Sequence, residues 1–196
     1  MCGRYGADDS VNEWLKNRCR CLSYDILRQG DILPGETAPV IIAGTPVPMA
    51  VSMTWGMKRS DGSGLIINAR KETLWEKPMF RQSIRFRRCL LPASRFYEWD
   101  SGKHKATFHG EKAEILFLAG IFHEDKEGGR FVIITAPADE RVNPVHDRMP
   151  VRIPEPLIGD WLSDAERARE ILDMAEVPVC REQLVEPLSL WDQEGF

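Results

Sequence analysis

Short apolar segments separated by turn residues run through most of the chain, and this pattern favours a fold built on many short strands. Such segments lie at 40–42, 47–55, 65–67, 89–92, 95–99, 115–122 and 131–136. Runs of this length, bounded by glycine, proline, aspartate or serine, are typical of β-strands. The 196 residues contain no linker or low-complexity tract. The sequence therefore predicts a single α+β domain, residues 1–196, with a β-barrel-like mixed or antiparallel core.

Helical spacing is confined to a few segments, which we expect to lie around the sheet as peripheral helices. The first spans 8–20, with Asp9 or Ser10 as its N-cap. Its buried residues are expected to be Val11, Trp14 and Leu15. Further helical segments are predicted at 71–75, 155–160 and 164–175. Residues 34–39 are expected to form a turn-rich loop, and the proline-containing segment 176–196 is expected to be peripheral.

Charge is distributed unevenly along the chain. The net charge of −4 argues weakly against a nucleic-acid partner, and residues 155–196 carry 11 acidic and only 3 basic side chains. Upstream, a stretch of fifteen residues contains five arginines and no acid: Arg81, Arg85, Arg87, Arg88 and Arg95. Such a block can follow a phosphate backbone, and it can equally form a solvated surface.

The cysteines and histidines lack the spacings of a metal site or a disulfide framework. There are five cysteines and four histidines, with no C-x-x-C or H-x-x-x-H pair. We therefore expect no metal, no cofactor and a reducing compartment. No apolar run reaches the roughly 20 residues of a membrane span, and no secretory leader is recognised. These observations predict a cytoplasmic protein, associated with the nucleoid if its host is a prokaryote.

Cys2 directly follows the start methionine. Removal of Met1 would leave a free α-amine and a thiol on one residue, a 1,2-aminothiol. Reference pKa values of about 7.7–8.0 for the amine and about 8.5 for the thiol make both groups partly nucleophilic near neutral pH. With an aldehyde, the amine forms a Schiff base and the thiol closes a five-membered thiazolidine ring. Cysteine also occurs at position 2 by chance, so its position alone does not establish a role.

Three polar clusters interrupt apolar segments, and their side chains complement one another. Asn68 ends an expected strand and could orient a nucleophile, although asparagine is also a common turn residue. Glu98 lies between aromatic residues, where burial would raise the pKa of its carboxyl and suit it to proton transfer. On a half-buried strand it would instead be exposed. His146 lies among turn-forming residues beside an arginine, and it is either a proton carrier or a structural histidine.

Several short motifs occur in a fixed order along the chain. Each motif alone indicates little about the family, but the ordered set is highly specific. They are MCGR at 1–4, WG at 55–56, NARKET at 68–73, RCLLPA at 88–93, FYEW at 96–99, AG at 119–120 and HDRMP at 146–150. In this order, from Cys2 to about Trp161, the chain resembles the SRAP family, named for SOS response-associated peptidases. The chain departs from the family pattern at Ser94-Arg95 and at Ile121-Phe122.

The resemblance implies a DNA damage response protein that senses abasic sites in single-stranded DNA and shields them in a covalent crosslink. It implies that Cys2 forms a thiazolidine with the ring-opened aldehyde of the abasic deoxyribose. Asn68 would position the N-terminal residue, and Glu98 and His146 would assist proton transfers. We further predict DNA contacts at Arg4, Trp55, Arg70, Thr73, Arg81, Trp99 and Arg148, with Trp55 or Trp99 stacking on bases. A monomer that binds at junctions of single and double strands, with lyase-like or self-processing peptidase activity at Met1, is expected.

Two other function classes remain open from the sequence. Glutamine amidotransferases also begin Met-Cys-Gly, and there the thiol attacks an amide while its own amine acts as base. The chain shows no synthase region to accept ammonia, and glutamine hydrolysis would favour this reading. A non-covalent single-strand-binding module would show salt-sensitive binding that does not need Cys2.

Overall fold

Fifteen strands and four α-helices make up the part of the chain that the computed structural model describes: residues 2–21, 27–59, 61–111, 114–174 and 178–182. The strands are β1 Tyr5–Ala7, β2 Arg20–Cys21, β3 Gly30–Ile32, β4 Thr37–Ile42, β5 Met49–Trp55, β6 Met57–Lys58, β7 Leu65–Ile66, β8 Asn68–Arg70, β9 Arg88–Ala93, β10 Arg95–Trp99, β11 Lys105–Gly110, β12 Leu116–Asp125, β13 Gly128–Pro137, β14 Arg148–Pro150 and β15 Val179–Arg181. The helices are α1 Asp9–Arg18, α2 Pro78–Phe86, α3 Ile158–Ser163 and α4 Ala165–Asp173. Short 3-10 turns span Lys71–Thr73 and Glu155–Leu157. None of these helices is long and apolar enough to cross a bilayer.

Five strands close into a barrel, which confirms the predicted α+β domain with a barrel core. Antiparallel pairs join β4 to β5, β13 to β12, β12 to β9 and β9 to β4, and a parallel pair between β13 and β5 closes the ring. The interior is tightly packed at Gly120 of β12. A Cβ atom there would lie 2.7 Å from Leu91 Cδ2 and 2.9 Å from Cys89 Sγ, so only glycine fits.

A second sheet carries the N-terminal strand beside the barrel. Its strand order is β15-β11-β10-β1-β3, and all of its pairs are antiparallel. β1 therefore lies between β3 and β10, with Tyr5 opposite Phe96. β8 is added to the barrel through a parallel pair with β13, and β14 pairs with β13 as well. The strands that carry the N-terminus, Asn68 and Glu98 are thus held by the two sheets.

The structure differs from the sequence-based predictions at several elements, including the segments predicted as helical at 71–75 and 155–160, where 3-10 turns span Lys71–Thr73 and Glu155–Leu157. Helix α1, Asp9–Arg18, lies within the predicted 8–20 segment, but its N-cap is Asp8 rather than Asp9 or Ser10, because the Asp8 side chain accepts a hydrogen bond from Ser10 N. Helix α2 was not predicted, since its arginines were interpreted as a charged surface rather than as one face of a helix. The expected 34–39 loop is shorter, because β4 begins at Thr37. Residues 178–182 form an edge strand, and the remainder of the 176–196 segment lies outside the described residues.

Arg88 fastens two helix ends to the barrel. Its side chain is buried, and its guanidinium donates to the carbonyls of Ile84 and Arg85 at the end of α2 and of Trp161 and Leu162 in α3. The last carbonyls of a helix have no partners within the helix and carry partial negative charge, so a buried cation stabilises them. Arg88 therefore has a structural role, which separates it from the block of arginines in which the sequence places it.

We expect Arg88→Lys to lower the free energy of unfolding by about 2–4 kcal/mol, because an ammonium group cannot serve four carbonyls in this fork geometry. Urea denaturation would measure the change. Arg85→Lys, on the exposed side of α2, is the matched control and should stay within about 0.5 kcal/mol of wild type. Equal stability of the two variants would contradict the structural role of Arg88.

Candidate active site around Cys2

Cys2 is buried at the point where the N-terminal strand meets β8 and β10. The residue has no exposed surface, and its Sγ lies 3.7 Å from the carbonyl of Arg4. Asn68 Nδ2 donates to the Cys2 carbonyl at 2.9 Å, and Tyr97 N donates to the Arg4 carbonyl at 3.1 Å. The backbone on both sides of the thiol is therefore fixed by β8 and β10.

Asn68 is placed by the barrel strand and by a buried indole. β8 pairs with β13 so that Asn68 lies opposite Ile133, and Trp55 Nε1 donates to the carbonyl of Ile67 at 2.9 Å. Trp55 is fully buried, with its ring 5.3 Å from that of Tyr5. The expectation that Trp55 stacks on a DNA base is corrected here, because its ring has no accessible face. Its role is to hold the segment that presents Asn68.

Glu98 is a buried carboxyl on the inner face of β10. Strand alternation puts it on the same face as Phe96, as expected, and both side chains are buried, which decides between the buried and the exposed carboxyl that the sequence left open. Removal from water raises the pKa of Glu98 from its ordinary value near 4.5 to about 7. Burial likewise raises the pKa of the Cys2 thiol, and the nearby Glu98 carboxylate raises it further. At neutral pH the thiol is therefore protonated beside a carboxyl that exchanges its proton readily.

His146 lies in the turn that precedes β14 and is half-buried. Its Nδ1 accepts a hydrogen bond from Arg148 N at 3.0 Å, and Asp147 Oδ1 lies 3.0 Å from the same nitrogen. Desolvation lowers the pKa of the ring, so neutral imidazole predominates near pH 7. The charge of Asp147 also raises the pKa of Glu98, which places the His146 turn within electrostatic reach of that carboxyl.

Arg148 is held by a carboxylate that sequence analysis did not single out. Its two terminal nitrogens lie 2.7 and 3.0 Å from the two oxygens of Glu72, and the second also donates to the Thr135 carbonyl at 2.7 Å. The guanidinium of Arg148, which was predicted to bind a DNA phosphate, therefore already pairs with groups of the protein itself. Glu72 is the one acidic residue of the NARKET motif, between basic residues. This isolated acid is the sequence feature that could have indicated an ion pair.

Arg4 and Trp99 form a mixed cationic and aromatic surface beside the site. The Arg4 guanidinium lies over the Trp99 ring, 5.2 Å from its centroid, and makes an ion pair with Asp31 at 3.5 Å. Both members of that pair are about one-third exposed, so the pair contributes little to stability and can be exchanged for another anion. Trp99 is half-buried, which leaves this residue, unlike Trp55, accessible for stacking.

The other predicted DNA-contact residues differ in how available they are. Arg70 and Arg81 are exposed and form no ion pair with any residue of the described segments. The Thr73 hydroxyl is buried and has no hydrogen-bond partner in that same part of the chain. Arg95 Nε donates a hydrogen bond to the Tyr97 hydroxyl at 2.6 Å. The arginine-rich stretch is therefore not one continuous surface, because Arg88 and Arg95 serve the fold.

We expect the contribution of Glu98 to the free energy of unfolding to be lost as the pH rises from about 4.5 to about 7. Between the ordinary pKa near 4.5 and the folded value of about 7, the folded state binds the proton that the unfolded state releases. Glu98→Gln removes this effect, so its stability relative to wild type should rise by about 2–3 kcal/mol between pH 5 and pH 8. Urea unfolding at both pH values would measure it.

The control for this measurement is Glu124→Gln, on the exposed end of β12. Its stability should follow that of wild type at both pH values. A constant difference between Glu98→Gln and wild type across the range would show that the carboxyl has an ordinary pKa.

Comparison with known proteins identifies the family to which the chain is similar. Residues 1–186 match the family model described as SOS response associated peptidase (SRAP). The abasic site processing protein YoqW of Bacillus subtilis is 30% identical over 140 residues, which cover 67% of this chain and 58% of YoqW. The chain thus spans less than two-thirds of that relative. The abasic site processing protein YedK of Escherichia coli is 24% identical over 194 residues, covering 89% of this chain and 85% of YedK.

Solved structures agree with the fold. A crystal structure of a protein from Bordetella bronchiseptica superposes with a TM-score of 0.75 at 23% identity, covering 93% of this chain and all of that one. The family model covers nearly the whole chain, including Cys2, Asn68, Glu98 and His146. This chain therefore belongs to the SRAP family.

Proposed function

We propose that this protein processes abasic sites in DNA and captures them covalently through Cys2 after removal of Met1. The observation that carries the proposal is the hydrogen bond from Asn68 to the Cys2 carbonyl, which holds the second residue of the chain beside a carboxyl of pKa about 7. The relatives YoqW and YedK are named abasic site processing proteins. Loss of Met1, through the chain's own activity or through a cellular aminopeptidase, would expose the amine on which the chemistry depends.

The chemistry begins at the amine, because the buried thiol is protonated. The amine of Cys2 adds to the C1′ aldehyde of the ring-opened deoxyribose and forms a carbinolamine. Loss of its hydroxyl as water gives the Schiff base, and this step needs a proton, which Glu98 in its acid form supplies. The thiol sulfur then adds to the carbon of the C=N bond and closes the thiazolidine. The proton that the thiol releases goes to the Glu98 carboxylate, which restores its acid form. One water is lost overall, and the ring removes the free aldehyde that would otherwise promote strand cleavage by β-elimination.

Single-stranded DNA is the partner that the surface residues fit best. The exposed cations Arg70 and Arg81 lack internal ion partners among the described residues, and Arg4 is only weakly paired with Asp31. Trp99 can stack on a base next to the lesion, whereas Trp55 cannot. A strand that is not base-paired lets the abasic sugar enter a site in which Cys2 is buried. This arrangement favours single-stranded DNA, including the single-stranded side of a junction.

The direct test is incubation of the purified protein with a single-stranded oligonucleotide that contains one abasic site. Wild type should give a band that survives denaturing electrophoresis without reductant. Cys2→Ala should give no such band, because its Schiff base cannot be closed, but borohydride should trap it. Cys180→Ala, a change at a half-buried thiol on β15, should behave as wild type. A Cys2→Ala band of wild-type intensity without reductant would rule out the thiazolidine.

Asn68→Asp should slow crosslinking by about 10–100-fold, because the amide donor to the Cys2 carbonyl is replaced by a carboxylate that repels it. Single-turnover crosslinking rates would measure the change. Asn143→Asp, an exposed change in the turn before His146, is the matched control and should leave the rate within about twofold. An unchanged crosslinking rate in Asn68→Asp would show that the Asn68 side chain does not assist the reaction of Cys2.

A further inference from the structure

The carboxylate of Asp31, on β3, lies between two arginines of the second sheet. Its Oδ1 accepts a hydrogen bond from the Tyr97 hydroxyl at 2.7 Å, and that hydroxyl accepts one from Arg95 Nε at 2.6 Å. Its other oxygen, Oδ2, lies 3.5 Å from Arg4 Nη1. The carboxylate is therefore fixed firmly on the Tyr97 side and paired loosely on the Arg4 side.

The Arg4 guanidinium is held less firmly than the Asp31 carboxylate. It rests on the face of Trp99, and its Nε is buried without a hydrogen-bond partner among the described residues. The 3.5 Å between Arg4 Nη1 and Asp31 Oδ2 exceeds the roughly 2.7–2.9 Å of a strong charge-assisted hydrogen bond. Both side chains are partly exposed, so a ligand can reach the pair. Arg4 can therefore turn to another anion, while the bond to Tyr97 keeps Asp31 in place.

We propose that Asp31 is a specificity-determining residue, which occupies the phosphate-binding position on Arg4 in the DNA-free protein and so keeps noncovalent DNA binding weak. This inference rests on the function proposed above. A phosphate that binds Arg4 must displace the Asp31 carboxylate. It then lies near a negative charge that Tyr97 holds in place, and like charges brought together oppose binding.

The consequence is that intact and abasic strands are retained in different ways. Every strand carries phosphates, so attraction to phosphate does not distinguish an abasic strand from an intact one. A weak contact at Arg4 lets an intact strand leave, whereas an abasic strand that has reacted with Cys2 stays through its covalent bond. Asp31 thus makes retention depend on the reaction with the aldehyde rather than on charge.

The test is the dissociation constant of an intact single-stranded oligonucleotide, which has no aldehyde, measured by fluorescence anisotropy at about 0.1 M salt. Asp31→Asn removes the charge but keeps an oxygen that can accept from Tyr97. It should bind about three- to tenfold more tightly than wild type, a gain that damage to the fold would not produce. Asp160→Asn is the matched control, because Asp160 on α3 also lies 3.5 Å from a partly exposed arginine, Arg167. Its affinity should stay within about twofold of wild type.

A double variant shows whether the effect passes through Arg4. In the Arg4→Gln background, Asp31→Asn should change the affinity by less than about twofold, because the ion pair that it breaks is already absent. Wild-type affinity in Asp31→Asn, an equal gain in Asp160→Asn, or the full gain in the Arg4→Gln background would each overturn the proposal. The intact strand cannot form a crosslink, so a failure of covalent capture would leave this result unaffected. Absence of binding in every variant would overturn the proposed DNA partner and this inference together.

Discussion

The parallel pairing of β8 with β13 is the interaction on which the site depends. It adds a three-residue strand to the barrel and sets Asn68 opposite Ile133 and Arg70 opposite Thr135. From this register, Asn68 reaches the Cys2 carbonyl and the turn after β8 brings Glu72 to Arg148. A shift by one residue would turn Asn68 away from Cys2, because side chains alternate along a strand. Trp55 secures the register by holding the Ile67 carbonyl.

Burial sets the protonation states in the site. The thiol of Cys2 stays neutral, the carboxyl of Glu98 exchanges its proton near neutral pH, and the ring of His146 stays mostly uncharged. All three shifts have desolvation as their largest cause. In the function that we propose, the thiol would stay protonated until the amine has reacted, and Glu98 would supply the proton for the loss of water. This property follows from where the strands place these residues rather than from any unusual residue.

The fold class could be predicted from sequence because short apolar segments and turn residues are local signals. The barrel-like core, the α1 segment and the shared strand face of Glu98 and Phe96 followed from period and composition, whereas the burial of Glu98 did not, because it depends on what packs over that face. The environments of Trp55, Arg88 and Glu72 did not, because each depends on a partner far along the chain: Trp55 on Ile67, Arg88 on Trp161, and Glu72 on Arg148. Side-chain type alone cannot distinguish an indole that stacks on DNA from one that donates to a carbonyl. The same limit concealed α2, whose arginines obscured its helical spacing.

Covalent capture through Cys2 is tested most directly by mass spectrometry of the peptide that carries the DNA adduct. After nuclease and protease digestion, we expect a peptide that begins at Cys2, carries the sugar remnant with net loss of one water, and has no alkylatable thiol. That result would place both the amine and the sulfur of Cys2 in one ring. A sugar remnant on a lysine, or on a peptide that still begins with Met1, would contradict the central role of Cys2.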